Sequence, residues 1–102
     1  MIPTPRTLSD LSSALRSRLE GVERELGRPL SLSCNRHLGC ESIHGRGVDI
    51  RCATAADRHT LMRLVFKHGF ERIGLYPGLI HVDIDARPRP ALWVGRPPKE
   101  RE

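Results

Sequence analysis

An apolar repeat near the N-terminus constrains the fold of this chain most strongly. The repeat has spacings of four, four, three and four residues and consists of Leu11, Leu15, Leu19, Val22 and Leu26. This spacing places the five side chains on one face of an α-helix, with arginines and glutamates on the solvated face. Thr7 or Ser9 can cap the helix, and Gly27 followed by Pro29 ends it. The sequence therefore predicts an early helix that must cover an apolar surface formed by later segments.

Short strand patterns and a second helix follow. Strands are predicted at 30–33, 48–52, 70–75 and 79–85, and a helix at 57–68. Tyr76, Pro77 and Gly78 predict a turn between the last two strands. Residues 34–47 form a loop rich in Gly, Cys and His, a composition typical of loops that carry function or bind a metal. This order predicts an α+β fold in which two helices cover a small antiparallel sheet.

The length of 102 residues corresponds to one domain, since domains usually contain roughly 100 to 200 residues. We assign residues 1–86 to that domain. The prolines at 88, 90, 97 and 98 predict a Pro/Arg-rich tail over 87–102 without regular structure, with Trp93 as its local anchor. The tail holds five basic and two acidic residues, and therefore most of the net charge of +5. Such a tail favours loose attraction to an anionic polymer.

Composition excludes several classes of protein. Only 4% of the residues are aromatic, which is too little stacking material for a dedicated nucleic-acid site. No stretch approaches the ~18 apolar residues of a membrane span, and residues 1–11 lack the apolar run of a secretory signal. We therefore expect cytoplasmic synthesis without a signal peptide. Because three cysteines are an odd number in that compartment, we expect free thiols or metal ligands in preference to disulfides.

Two histidines and one aspartate suggest the chemistry of the chain. His44 and Asp49 flank the start of one predicted strand, and His81 lies in another. Two imidazoles and one carboxylate are the ligand count of a catalytic zinc site, in which the fourth position is left to water. Zinc lowers the pKa of that water and polarises the carbonyl group under attack. The sequence therefore predicts a Zn²⁺ site made by these three side chains.

Other interpretations of the same residues remain open. Asp49 lies between two apolar residues and could instead pair with an arginine or cap a helix, and His81 alone could be a buried core histidine. A separate structural zinc cluster could be formed by Cys34, His37, Cys40 and His44. Combined with the basic tail, that cluster would favour a small nucleic-acid-associated protein.

Three segments together resemble a known family. They are LSLSCNR at 30–36, SIHGRGVD at 42–49 and GLYPGLIHVD at 74–83. In this order they resemble the zinc D-Ala-D-Ala metallopeptidases, peptidoglycan peptidases that share their fold with the hedgehog signalling domain. Trp93 falls where an Arg-x-Trp commonly follows in that family, so the resemblance extends over residues 10–95.

The resemblance implies a function and a role for each matching residue. His44, Asp49 and His81 would bind zinc, and zinc-bound water would attack a peptide bond of the peptidoglycan stem. Arg36 would bind the substrate carboxylate as a catalytic and substrate-binding residue, and Tyr76 would contact the substrate. We expect a monomeric D,D-carboxypeptidase or endopeptidase, such as a phage endolysin, that acts at the cell wall once released.

Two departures from the family pattern leave alternatives open. The spacing His-x4-Asp is two residues shorter than the family's His-x6-Asp, so an alignment without a gap would place Ser42 in the position of His44. Gly78 stands where the family has its acidic general base. The carboxylates that could replace that base are Glu41, Asp83 and Asp85, and we take Asp83 as the catalytic candidate. The alternative function is that of a catalytically degenerate member that binds wall peptide or a protein partner.

Overall fold

The computed structural model describes residues 4–34, 46–84 and 91–95. In chain order the elements are β1 (Thr4–Arg6), a 3-10 turn (Leu8–Asp10), α1 (Ser13–Leu26), β2 (Leu32–Cys34), β3 (Gly47–Arg51), α2 (Ala55–Lys67), β4 (Arg72–Tyr76), β5 (Leu79–Asp83) and β6 (Ala91–Val94). None of the helices in these parts of the chain has the length and apolar character needed to cross a membrane.

The strands form one sheet in the order β1-β2-β3-β5-β4-β6. The predicted α+β class, with two helices and a small sheet, is confirmed. The prediction of a purely antiparallel sheet is wrong, because β6 pairs with β4 in parallel. Four residues of the predicted tail at 87–102 therefore belong to the sheet as the strand Ala91–Val94. The edge strand β1 was also not predicted, and it pairs antiparallel with β2.

The N-terminal helix begins later than its apolar repeat predicts. The backbone N–H of Asp10 donates to the carbonyl of Thr7 and closes a separate 3-10 turn, and the N–H of Thr7 donates in return to the Asp10 carboxylate. Ser12 then caps α1 by accepting a hydrogen bond from the N–H of Leu15. The helix ends at Gly27, whose φ of 81° is the left-handed conformation that glycine adopts without strain.

The apolar core lies between the two helices and one face of the sheet. The helices contribute Leu15, Leu19, Val22, Leu61, Leu64 and Val65, and the central strands contribute Val48, Ile50, Ile73, Ile80 and Val82. Successive side chains of a strand point to opposite faces, so Asp49 and His81 point away from the helices. Cys52 also lies in this core as a buried free thiol.

The two helices are joined by polar contacts at one end of their interface. Glu25 of α1 accepts hydrogen bonds from the ammonium of Lys67 and from Nε2 of His68. A Cβ added at Gly21 would lie 2.7 Å from the His68 ring, so glycine leaves the room in which that ring packs. The hydrogen bond from Lys67, followed by that from His68, lowers the pKa of the Glu25 carboxyl.

Replacing Glu25 with Gln is expected to reduce stability in a pH-dependent way. Because the carboxyl pKa is lower in the folded state, its stabilisation is fully present above the unfolded value of 4.5 and is lost as pH falls through the folded value. The difference in Tm between wild type and Glu25→Gln should therefore be larger at about pH 6 than at about pH 3. Thermal unfolding followed by circular dichroism measures both values. An equal difference at the two pH values would contradict this role for Glu25.

Candidate functional site

Four charged side chains form a row on the sheet face opposite the core. They are Asp49 of β3, His81 and Asp83 of β5, and Arg72 of β4, and we call them the charged row. The strand register pairs Asp49 with His81 and Arg72 with Asp83. All four residues of the row are buried, and the most exposed of them, Arg72, is 6% exposed. Charged groups at this depth must be paired or bound to a metal, because water no longer solvates them.

The charged row is connected by short hydrogen bonds. Nδ1 of His81 lies 2.9 Å from Oδ1 of Asp49, and Nε2 lies 2.7 Å from Oδ2 of Asp83. The guanidinium of Arg72 donates from Nε to Oδ1 of Asp83 at 2.6 Å. Both ring nitrogens of His81 therefore face carboxylate oxygens. With a protonated imidazole, the row contains two positive and two negative charges.

The electrostatics of the row favour this charged form. Burial by itself would lower the pKa of His81, but the hydrogen bonds and negative charges of Asp49 and Asp83 outweigh it and raise the pKa. Burial opposes ionisation of Asp83, yet the hydrogen bond and charge of His81, together with Arg72, lower the pKa of that carboxyl. The row thus satisfies its own charges within the buried sheet face.

Trp93 of β6 lies against the charged row. Its ring centroid is 5.9 Å from that of His81, and Cζ of Arg72 lies 5.1 Å from the centroid of the indole. The indole N–H donates to the hydroxyl of Tyr76 at 2.8 Å. A Cβ added at Gly74 would lie 2.5 Å from indole atoms, so only glycine at this position of β4 leaves room for the ring.

Replacing Gly74 with Ala is expected to displace the Trp93 indole and to destabilise the protein by about 1–3 kcal/mol, as overpacking of a filled site does. Trp93 is the only tryptophan, so its fluorescence reports the displacement directly. We expect a red-shifted emission maximum and a lower Tm than in wild type. Val94→Ala is a suitable control, because this neighbouring side chain of β6 is 79% exposed. An unchanged emission spectrum in Gly74→Ala would contradict the packing described here.

The structure brings together the predicted site residues that it describes. Asp49 and His81 are direct neighbours, and Asp83, the predicted catalytic carboxylate, bonds His81 on its other side. Tyr76, the predicted substrate contact, is buried and lies on the same sheet face. Several predicted residues lie outside the described parts of the chain, namely Arg36, His37, Cys40, Glu41, Ser42, His44 and Asp85.

One prediction about the cysteines is wrong. Cys34 is disulfide-bonded, whereas the sequence analysis expected free thiols or metal ligands. An odd number of cysteines requires only that one thiol stay unpaired, and Cys52 meets that requirement. A metal ligand must be a thiolate, so a disulfide-bonded Cys34 does not serve in the alternative zinc cluster.

The turn between β4 and β5 explains the residue at position 78. Gly78 has a φ of 75°, in the left-handed region that side chains with a Cβ rarely adopt. Its carbonyl accepts a hydrogen bond from the N–H of Cys52, which ties the turn to the end of β3. The backbone conformation favours glycine where the resembling family has its general base.

Arg72 is the member of the charged row that the sequence analysis missed, although a signal was present. The predicted turn at Pro77 and Gly78 pairs Tyr76 with Leu79 in a hairpin. Counting back along both strands from that pair places Arg72 opposite Asp83. A buried aspartate opposite an arginine predicts an ion pair, which the structure contains.

Zinc can be tested against the donors that are present. Within the described ranges, no three His, Cys, Asp or Glu side chains form a group that could hold a metal ion. Asp49 and Asp83 lie at opposite nitrogens of His81, so these three cannot converge on one point. Asp49 and His81 are adjacent donors joined by a hydrogen bond, and zinc would have to replace the proton between them to bind both. Two ligands of one tetrahedral zinc stand about 3.3 Å apart, close to the 2.9 Å between Nδ1 and Oδ1.

The second nitrogen of His81 also fits a metal ligand. A histidine that binds zinc through one nitrogen usually donates its other N–H to a carboxylate, which fixes the ring. Asp83 is in that position at Nε2, and Arg72 holds Asp83 from its far side. The described residues therefore include two of the three predicted ligands and a carboxylate placed to support one of them, and His44 is the predicted third.

Comparison with known proteins adds no relative to this description. No family model matches the chain, and no curated protein or solved structure matches it significantly. The functional assignment therefore depends on the motifs of the sequence and on the geometry of the charged row.

Proposed function

We propose that this protein is a zinc-dependent peptidase that hydrolyses peptidoglycan stem peptides, of the D,D-carboxypeptidase or endopeptidase type. The observation that carries the proposal is the adjacency of Asp49 and His81 at the centre of two paired strands. The support of His81 by Asp83 at its other nitrogen adds to it. The motifs at 30–36, 42–49 and 74–83 favour the same class and a fold of the hedgehog and D-Ala-D-Ala peptidase type.

Each residue of the site has a distinct role in this proposal. His44, Asp49 and His81 hold zinc, which when bound supplies a Lewis acid and lowers the pKa of a water molecule. Asp83 accepts the N–H at Nε2 of His81, and so keeps Nδ1 directed at Asp49. Arg72 holds Asp83 in place, which makes both residues positioning residues.

The substrate roles follow the family resemblance. Arg36 binds a substrate carboxylate through its two-pronged guanidinium, and Tyr76 contacts the peptide near the row. The basic residues of the segment 87–102 attract the protein to anionic wall polymer at low salt. A monomeric wall hydrolase of phage endolysin type, active once it is released to the wall, accounts for these features together.

Zinc content is the first test of the proposal. The purified wild type should contain one zinc per chain by mass spectrometry, and Asp49→Asn and His81→Ala should each lose it. Asp57→Asn is the matched control, because Asp57 is a carboxylate of α2 that pairs only loosely with Arg28, at 3.6 Å. Circular dichroism of each variant separates loss of metal from loss of folding. A folded wild type that binds no zinc after reconstitution would rule out the peptidase.

Hydrolysis is the second test. Incubation with peptidoglycan fragments should release a stem-peptide residue or separate cross-linked stems, and mass spectrometry identifies which bond is cleaved. Removal of zinc by a chelator should stop the reaction, and added zinc should restore it. Asp57→Asn should retain the activity that Asp49→Asn loses.

A second candidate function is binding without catalysis. The charged row balances its own charges, and the turn at Gly78 holds no carboxylate. Both observations favour a catalytically degenerate member of the same fold that binds wall peptide or a protein partner. A zinc-free wild type that binds peptidoglycan fragments without cleaving them would support this alternative over the peptidase.

A further inference from the structure

A cavity of about 460 Å³ lies where β3 ends, beside the turn between β4 and β5, and Cys52 and Ala53 line it after the end of β3. Ser33, Arg51 and Leu79 line it from three neighbouring strands, and Pro77 and Gly78 line it from the turn. Its volume lies in the range of about 300–1,000 Å³ that is typical of small-molecule sites. The cavity is therefore large enough for part of a peptide.

The strand register shows where the cavity lies relative to the row. Ser33 pairs with Asp49, and Arg51 pairs with Leu79. Alternate residues of a strand share a face and are about 6.5 Å apart, so Arg51 follows Asp49 at that distance along β3. Arg72 pairs with Asp83 at the far end of the row. The cavity thus adjoins the end at which Asp49 meets His81.

Arg51 brings an uncompensated positive charge to this cavity. It is exposed, and its guanidinium has no hydrogen-bond or ion-pair partner in the described parts of the chain. The carboxylate two positions earlier on the same strand, that of Asp49, is engaged by His81. The half-buried Ser33 can add a hydroxyl donor. A guanidinium with a hydroxyl beside it is suited to binding a carboxylate.

We propose that Arg51 and Ser33 bind a carboxylate of the peptide substrate, carried by a residue next to the bond on which the charged row acts. The peptide class rests on the proposed function, whereas the cavity and its charge do not. Consecutive Cα atoms are 3.8 Å apart, so the offset of about 6.5 Å between Asp49 and Arg51 fits a carboxylate on the adjoining residue. Arg51 is a second cation, distinct from Arg36, so the substrate is a peptide with an acidic group at this position.

The carboxylate can be the C-terminal group or an acidic side chain, and three probes distinguish them. They are acetyl-D-Ala-D-Ala with a free carboxylate, its C-terminal amide, and acetyl-D-Ala-D-Glu amide with a side-chain carboxylate alone. Isothermal titration calorimetry on the full chain measures their affinities, and mass spectrometry verifies that each probe stays intact. At least one carboxylate probe should bind about tenfold or more tightly than the neutral amide. Equal affinity for all three, or no binding of any, would overturn the proposal.

Variants of Arg51 test the residue itself. Arg51→Gln should weaken the better carboxylate probe about tenfold or more and leave the neutral amide unchanged. Arg51→Lys should retain part of the affinity, because it keeps the charge and loses the planar fork. Arg63→Gln is the matched control, since it removes an exposed arginine from α2, away from the cavity lining. Wild-type affinity in Arg51→Gln would overturn the site.

Binding and zinc content are separate readouts, so the two proposals fail separately. If the protein holds no zinc but Arg51→Gln still loses carboxylate binding, the cavity site is supported and the peptidase is not. A zinc-loaded, active protein whose affinity for the probes does not depend on Arg51 would leave the peptidase standing without the cavity site.

Discussion

Replacing Arg72 with Met is expected to lower the free energy of unfolding by about 3–5 kcal/mol, which is the usual cost of breaking a buried ion pair. The Arg72 side chain is 7% exposed and that of Asp83 is 2% exposed, so water cannot take the place of the lost guanidinium. The row would then hold two carboxylates and one imidazolium, and a negative charge would remain uncompensated. Urea unfolding followed by circular dichroism measures the loss.

A double-mutant cycle separates this charge effect from packing. Asp83→Asn alone removes the carboxylate that Arg72 bonds at 2.6 Å. It should also lower the free energy of unfolding by about 3–5 kcal/mol. The double variant Arg72→Met and Asp83→Asn removes both charges, so it should cost less than the two single changes together. Arg72→Met removes the contact of Arg72 with the indole of Trp93 whether Asp83 is present or not. The cost of that contact therefore cancels in the cycle. Strictly additive losses would show that the pair is not energetically coupled.

The helices and the central hairpin were accessible from sequence because their signals are local. The apolar repeat predicted α1, and the pair Pro77 and Gly78 predicted the turn between β4 and β5. That turn also sets the register of its two strands, so it carries the pairing of Arg72 with Asp83. Local patterns thus predict the pairing of two of the four residues of the charged row, Arg72 and Asp83.

The edge strand β6 was missed because the prolines of the tail were interpreted as excluding regular structure, and no strand pattern was identified at β1. Pro5 lies within β1, where it pairs with Ser33, and β6 lies between Pro90 and Pro97. An edge strand has one side without partners, so a residue that lacks an N–H can be accommodated there. The four residues of β6 contain no proline, and they alternate between half-buried and exposed. If proline is taken to exclude only interior strands, both segments remain possible edge strands.

The pairing of Asp49 with His81 could not be derived from periodicity. The two residues are 32 positions apart, and along the chain their strands are separated by α2 and β4. Turn geometry does not set the register of such a distant pair, which depends on how the whole sheet assembles. Ligand chemistry and the family resemblance connect Asp49 and His81 at the level of sequence, and the structure places them side by side.

Replacing Ile80 with Ala is expected to cost about 2–5 kcal/mol, and replacing it with Val about 0.5–1.5 kcal/mol. Ile80 is fully buried, pairs with Ile50 and Leu75, and belongs to the core beneath the helices. Truncation to alanine leaves a cavity in the middle of the sheet, whereas valine loses a single methylene. Urea unfolding of the two variants beside wild type measures the difference, and a loss below about 1 kcal/mol in Ile80→Ala would contradict the packing described.

The same two variants separate the core from the charged row. Ile80 and His81 are consecutive residues of β5, so their side chains lie on opposite faces of the sheet. Under conditions in which the variant remains folded, Ile80→Val should keep the zinc content of wild type, and the Tyr76 and Trp93 contacts should persist in its fluorescence. Loss of zinc in a folded Ile80→Val would mean that the position of His81 depends on core packing as well as on Asp83. Retention of zinc would show that the position of His81 does not depend on this part of the core packing.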